Sequence, residues 1–308
     1  MVWIAVFLGV LTMASATLAQ SKAADRVILG TATPGGGFPI YGAAVADTIN
    51  ETDPTLLVET RNTKGSTENV PLLEAGQIDL GLVTGEVAYE ASNLKILTAM
   101  YPTPGMLVVR ADSPYRTIAD LRGKRVAWGA RGSGLVVLAR YTLDGIGLDQ
   151  QKDFEGVFLD QAGDGPKMVM EGQVAALWGG GIGWPGFAAV AKGPAGARFI
   201  VPDPDAIKRI QAKHPFLKTL TVPAGSYPGQ DAPLVSVGSW ALILARPTLD
   251  DEVAYRLARA LHRGEAALGK RLAQARDTTA ANTVAAAPRL DLIHPGVLRY
   301  LREVGLTR

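Results

Sequence analysis

The sequence predicts a two-lobe α/β fold, with two strands crossing between the lobes and a ligand cleft where the lobes face each other. Three observations predict it. Between Val27 and Glu90, three short apolar strands each end in a small, polar or glycine-rich turn that opens into a helix. The same plan recurs from Arg125 onward. Apolar strands at Met106–Arg110 and Leu234–Ala245 then supply an outward and a return crossing.

The first strand is Arg26–Gly30, followed by the turn Gly35-Gly36-Gly37. A helix follows, with apolar or small residues at Ile40, Tyr41, Ala44, Val45, Thr48 and Ile49, the spacing of one helix face. A second strand, Leu56–Glu59, leads into the polar turn Lys64–Asn69. Ser66 there is read as the N-cap of a helix that buries Val70 and Leu73. The third strand, Ile78–Val83, ends at Thr84-Gly85-Glu86. A strand at Ile96–Met100, a turn at Pro102-Thr103-Pro104-Gly105 and the strand Met106–Arg110 carry the chain into lobe two, where a helix is expected over Ile118–Arg122.

In lobe two, Arg125-Val126-x-x-Gly129 echoes Arg26-Val27-x-x-Gly30, and Gly172-Gln173-Val174 echoes Gly76-Gln77-Ile78. A glycine turn, Arg131–Gly134, again precedes a helix, Leu135–Leu143. Trp178–Pro185 takes the place of the Thr84 turn, with Pro185 suited to a first helical turn. Helices are expected at Ala206–Lys213, along an apolar face through Val253, Leu257, Leu261 and Leu268, and at Val297–Val304; Val222–Asp231 reads as a loop. Lobe one accordingly takes residues 25–108 and 240–308, and lobe two 109–239.

Composition excludes several roles. The 308 residues are 47% apolar and 19% charged, enough for a substantial core. A net charge of +2 with no basic run argues against nucleic acid as a partner. There is no cysteine, hence no disulfide, no thiolate catalysis and no cysteine-ligated zinc. His214, His262 and His294 lack metal-ligand spacing, and no nucleophile or P-loop motif occurs. No catalytic residue, metal or cofactor is therefore expected. Met1–Ala19 is uncharged, mostly apolar and ends in small residues, the pattern of a cleaved secretory signal peptide.

The binding reading is stronger. Gly36, Gly37, Ser66, Thr67, Asn69, Gly132, Ser133 and Gly134 offer backbone N–H, hydroxyl and amide groups suited to a carboxylate. One such turn is explained as well by a plain connection; several on one rim favour a site. Phe38 and Thr84 stand beside these turns. Arg131 is the candidate to pair with a ligand carboxylate, and Trp178 and Trp184 to pack on its apolar part. Gln230, with Tyr227, sits on a loop that would close over the cleft.

Four segments resemble the TAXI family, the extracytoplasmic solute-binding subunits of tripartite ATP-independent (TRAP) transporters. They are Gly30–Gly42, Gly65–Gly81, Tyr227–Asp231 and His294–Gly296, in that order. The resemblance implies a periplasmic-binding-protein fold of the type II-like, two-crossover kind. It also implies a monomeric periplasmic receptor that captures a small organic anion and delivers it to a TRAP membrane permease. Family members close their lobes over the ligand. The sequence departs from the family pattern at Ala32-Thr33-Pro34, at Thr84-Gly85-Glu86 and at Leu135. Both an amino acid, as in characterised relatives, and a less polar, aromatic or branched carboxylate stay open. An exported ligand-sensing domain, or an enzyme on the same fold, is the rival function.

Overall fold

The computed structural model describes residues 24–91 and 93–308, so the expected signal peptide at residues 1–19 lies outside the described residues. Lobe one is centred on β1 (Asp25–Gly30), flanked by the parallel strands β2 (Leu56–Arg61) and β3 (Leu80–Val83). The helices α1 (Gly37–Thr52), α2 (Ser66–Glu74) and α3 (Gly85–Ala88) each begin at the end of one of these strands. After the long strand β4 (Lys95–Arg110), the plan repeats in lobe two. There β5 (Arg125–Ala130) lies between β6 (Glu155–Leu159) and β7 (Ala176–Gly180), followed by α4 (Gly134–Gly145), α5 (Asp164–Met170) and α6 (Pro185–Lys192).

The repeat extends to detail. Gly76 and Gly172 both take a left-handed φ, of 66° and 72°, at the ends of α2 and α5. In each case the following glutamine N–H donates five residues back, Gln77 to the Leu72 carbonyl and Gln173 to the Met168 carbonyl. This is the bond pattern of a glycine-terminated helix. Asp79, three residues after Gly76, then ties three strands together. Its carboxylate accepts from the Ile28 N–H at 2.8 Å and from Arg246 Nε at 2.8 Å.

The chain continues through β8 (Ala197–Ile200), α7 (Pro204–Lys213), β9 (Lys218–Val222) and β10 (Leu234–Ala245). It returns to lobe one as α8 (Asp251–Arg271), α9 (Ala280–Ala286) and α10 (Pro295–Glu303). The strand order is β2-β1-β3-β10-β4-β7-β5-β6, with β8 on β4 and β9 on β10. Two strands serve both lobes. β4 pairs with β10 along Lys95–Pro104, then with β7 and β8 along Gly105–Arg110. β10 pairs with β9 along Leu234–Gly238 and with β3 along Leu242–Ala245.

The expected turn at Pro102–Gly105 is not a break: β4 runs straight through it. Proline cannot donate to a ladder and is tolerated where pairing is already irregular. Pro102 faces Trp240, where the β10 register shifts, and Pro104 faces Gly238. A Cβ on Gly238 would lie 2.2 Å from the Thr103 carbonyl oxygen, so glycine lets the two crossing strands press together. The helix expected at Ile118–Arg122 is a single 3₁₀ turn over Ala119–Leu121. The short strands β6 and β9, with exposed positions, and β8, half-buried along most of its length, were not anticipated.

Packing divides where the strands cross. One apolar cluster, built on Leu29, Val45, Leu82 and Leu257, ends at Tyr101 and resumes at Ala241. In lobe two, alternate residues of β4 face opposite sides of the sheet: Leu107 and Val109 join Trp128 and Trp178, while Met106 and Val108 join Phe187 and Tyr227. The helix α8 is capped by Asp250, whose carboxylate accepts from the N–H groups of Glu252 and Val253. It approaches α1 closely, since a Cβ on Gly264 would lie 2.4 Å from Thr48 Cγ2. No helix of the described residues is long and apolar enough to cross a membrane.

Candidate functional site

The carboxyl ends of β1, β3, β5 and β7 face one another across the cleft, where ligands bind in open α/β sheets. The lobes touch around its rim. Thr67 N–H and Oγ1–H both donate to the Gly132 carbonyl, at 3.2 and 3.1 Å. The Ala162 N–H donates to Thr33 Oγ1 at 3.3 Å. A Cβ on Gly35 would lie 2.4 Å from Gly163 Cα, and one on Gly134 only 1.9 Å from Thr84 Oγ1. On the outer edge Tyr89 stacks on Phe216 at 4.8 Å and Tyr141 Oη–H donates to Glu90 Oε1 at 2.6 Å. The glycines of the turns thus serve mainly to let two backbones meet, and the arrangement is a closed one.

The lobes enclose a cavity of about 70 Å³, measured as the space open to the centres of water molecules. That is room for a few waters or one compact organic molecule. Lobe one lines it with Thr33, Gly36, Gly37, Phe38, Ser66 and Thr84; lobe two with Ser133, Gly134, Leu135, Trp178 and Trp184. Tyr101 and Thr103 come from the crossing strand β4, and Gln274 from the 3₁₀ turn after α8.

Each polar group has an identifiable state. No side chain caps α1, and its first-turn residues Gly37 and Phe38, whose N–H groups have no intrahelical partner, line the cavity. Ser66 is not an N-cap: Gly65 holds that position, and Ser66 Oγ instead accepts from the Thr84 N–H at 3.1 Å. This bond fixes the end of β3 against the start of α2. Ser133 does cap its helix, Oγ accepting from the Leu135 N–H at 3.2 Å. Trp178 Nε1–H donates to the Leu135 carbonyl at 2.8 Å, leaving its ring as wall. Three residues of the lining carry a buried, unpartnered polar atom: Thr84 Oγ1, Trp184 Nε1 and Trp128 Nε1, the last lying 3.2 Å from where a Gly156 Cβ would sit. Burial raises the Tyr101 phenol, which stays neutral.

Five of the residues anticipated from sequence are not in the wall. Arg131 is exposed, its guanidinium over the Phe158 ring at 5.7 Å from the centroid. It lies one residue outside the part of the turn that faces inward. Asn69 is wholly buried and structural: Nδ2 donates to the carbonyls of Thr31 and Leu82 at 2.9 and 2.8 Å, joining the ends of β1 and β3. Thr67 and Gly132 bond to each other at the rim. Gln230 staples its own loop, Nε2 donating to the carbonyls of Pro223 and Ala232 and Oε1 accepting from the Ser226 N–H. Tyr227 is buried, pushed up to about 12 by burial, and its Oη–H donates to the Gly181 carbonyl while accepting from the Gly183 N–H. It holds the glycine-rich loop that carries Trp184.

Sequence reasoning missed Thr33, Lys64, Tyr101, Thr103, Trp128 and Gln274. Tyr101 and Thr103 had a signal in the crossing strand itself, had it been read as continuous. Gln274, more than 170 residues from Tyr101, had none. Lys64, at the mouth, is the only charged residue of the lining among the described residues. Among the described residues no group of three histidine, cysteine or acidic side chains is placed to hold a metal ion.

A family model described as the NMT1-like family matches residues 29–305. Among solved structures, one described as a periplasmic transporter matches with a TM-score of 0.55 and 17% identity, over 83% of this chain and 88% of that one. The substrate-binding protein of an amino acid ABC transporter gives 0.52 and 13%, over 82% and 99%. The alkanesulfonate-binding protein of Xanthomonas axonopodis pv. citri, solved with MOPS, gives 0.51 and 20%, over 92% and 85%. At these identities the likeness establishes the fold, that of two-lobe periplasmic binding proteins.

Proposed function

The chain belongs to the NMT1-like family, and from that premise we propose that it is an extracytoplasmic solute receptor. It captures a small organic carboxylate between its lobes and hands it to a membrane permease. The observation that carries this reading is the closed cavity: uncapped N–H groups at Gly37 and Phe38, the Ser66–Thr84 corner, and buried unpartnered polar atoms from both lobes. A buried polar group without a partner is costly unless something fills the space and bonds to it. A ligand does so, and it pays back most when both lobes touch it at once, which couples capture to closure.

The permease is of the TRAP type, a reading supported by the four motif segments, and the receptor is periplasmic after cleavage near residues 16–20. The ligand is released unchanged, a reading supported by the family match. A thermal-shift screen of carboxylates, sulfonates and amino acids tests the receptor function, because a ligand of the folded state raises the midpoint with concentration. Absence of any shift, or recovery of a chemically altered ligand, would refute it. Co-purification with the TRAP permease tests the subtype; association with an ABC permease instead would overturn that part alone.

A further inference from the structure

The wall of the cavity narrows the ligand further. We propose that the cavity selects a compact monoanion with a flat apolar body and no charged nitrogen, an aryl or arylalkyl carboxylate, and that it rejects α-amino acids. This rests on the reading of the cleft as a solute site.

The negative end has its donors. Gly37 and Phe38 offer the open end of a 16-residue helix, and its dipole favours an anion without any cationic side chain. Trp184, 7% exposed, has an unpartnered Nε1–H, and an indole nitrogen only donates. Its ring edge lies beside that same helix end, Cδ1 being 3.7 Å from where a Gly37 Cβ would sit. Thr84, 2% exposed, adds a lobe-one hydroxyl with no hydrogen-bond partner at close range; it stands beside the Glu86 carboxyl, which is the alternative acceptor for its proton.

A positive end has no counterpart. Among the described residues no aspartate or glutamate lines the cavity, and Gln274 Oε1, 3.9 Å from where a Gly37 Cβ would sit, is a neutral acceptor without charge. Glu86, two residues beyond Thr84, is wholly buried behind it and receives the Ser239 hydroxyl; burial raises its carboxyl, so it does not supply a counter-charge. An ammonium brought in here would be stripped of water and left unpaired. The rings of Phe38, Tyr101, Trp128, Trp178 and Trp184 make up the bulky part of the wall, between smaller neutral groups such as Thr33, Thr103 and Gln274, and suit the faces and edges of a planar body.

Calorimetric titration with phenylacetate, phenylglycine and phenylacetamide tests this, because the three share one body. Phenylglycine adds an ammonium; phenylacetamide removes the charge. Phenylacetate should bind at least about tenfold more tightly than either. Equal or tighter binding of phenylglycine or of phenylacetamide overturns the proposal, and tighter binding of benzylsulfonate overturns the carboxylate headgroup. Trp184→Phe keeps the ring and removes the N–H, and Thr84→Val removes the hydroxyl at constant shape. Each should weaken phenylacetate about tenfold with the unfolding midpoint unchanged, and unaltered affinity in both overturns the donor assignment. Amino acid binding without aryl carboxylate binding overturns the ligand class while leaving the receptor function standing. Silence toward all amino acids, carboxylates and sulfonates removes the receptor function as well.

Discussion

The two lobes follow one plan and bring different chemistry to the cleft. β1 and β5 each sit between two parallel partners, and α2 and α5 end in the same glycine turn. Yet the equivalent helix starts differ. The difference lies in the first pair: α1 follows Gly36 with no side-chain cap, whereas Ser133 caps α4; α2 and α5 alike follow an uncapping glycine, Gly65 and Gly163. Lobe one therefore leaves its donors to a ligand, whereas lobe two spends part of its own internally. Lobe two supplies rings instead, Trp178 and Trp184. A repeated fold fixes where the walls stand, and the turn residues alone decide what each wall offers.

The largest test of this division is Trp178→Ala. The ring is 2% exposed in the lobe-two core, so its loss should destabilise the protein by about 3–5 kcal/mol in denaturant unfolding. A loss under about 1 kcal/mol would mean that lobe two does not depend on its wall. Next is Gly134→Val. The three nearest atoms to a Cβ there all belong to Thr84 and Ser66 of lobe one, so the change obstructs closure and spares either lobe. Ligand affinity should fall at least about a hundredfold, roughly 2.7 kcal/mol, with little change in stability without ligand. Wild-type affinity would show that the contact is dispensable.

Glu86→Gln probes lobe one by itself. Burial raises the carboxyl above its ordinary 4.5, so the folded state keeps a proton that the unfolded chain loses. Its stabilising contribution is complete below pH 4.5 and declines as pH rises toward the folded value. Glutamine should flatten that decline and raise the midpoint at pH 7.5 by about 2 °C, on the order of 1 kcal/mol. A lower midpoint at pH 7.5 would show that the charged form is the one the fold uses. Lys64→Gln should weaken anion binding only about two- to threefold at low salt, and not at all at high salt, since an exposed charge is screened. Smallest of all, Arg131→Ala should change affinity less than about twofold, because the guanidinium packs on Phe158 outside the cavity. A tenfold loss would return the anion to lobe two and reverse the comparison.

Much of this was legible in the chain. Strand–turn–helix units announce themselves through period and glycine, so β1, α1, β2, β3 and α8 follow from pattern. Thr84, Ser66, Trp178 and Trp184, singled out because they sit near strand ends, line the cavity. Arg131 lies off the cavity because such a turn has an inner and an outer side, and sequence spacing does not tell them apart. Asn69 lies off it for another reason: an amide able to serve a ligand is equally able to serve three carbonyls of its own lobe.

The sequence by itself determined the lobe plan, the doubled supersecondary unit and the glycine turns, because backbone conformation and hydrophobic period are local properties. It did not determine which groups are free. Whether a hydroxyl caps a helix, as Ser133 does, holds another strand, as Ser66 does, or is left without a partner, as Thr84 Oγ1 is, depends on atoms brought together from distant positions. Tertiary structure made that choice, and with it the placement of Gln274 and Tyr101 across from Gly181, because hydrogen bonding and burial are settled only when both lobes are in place.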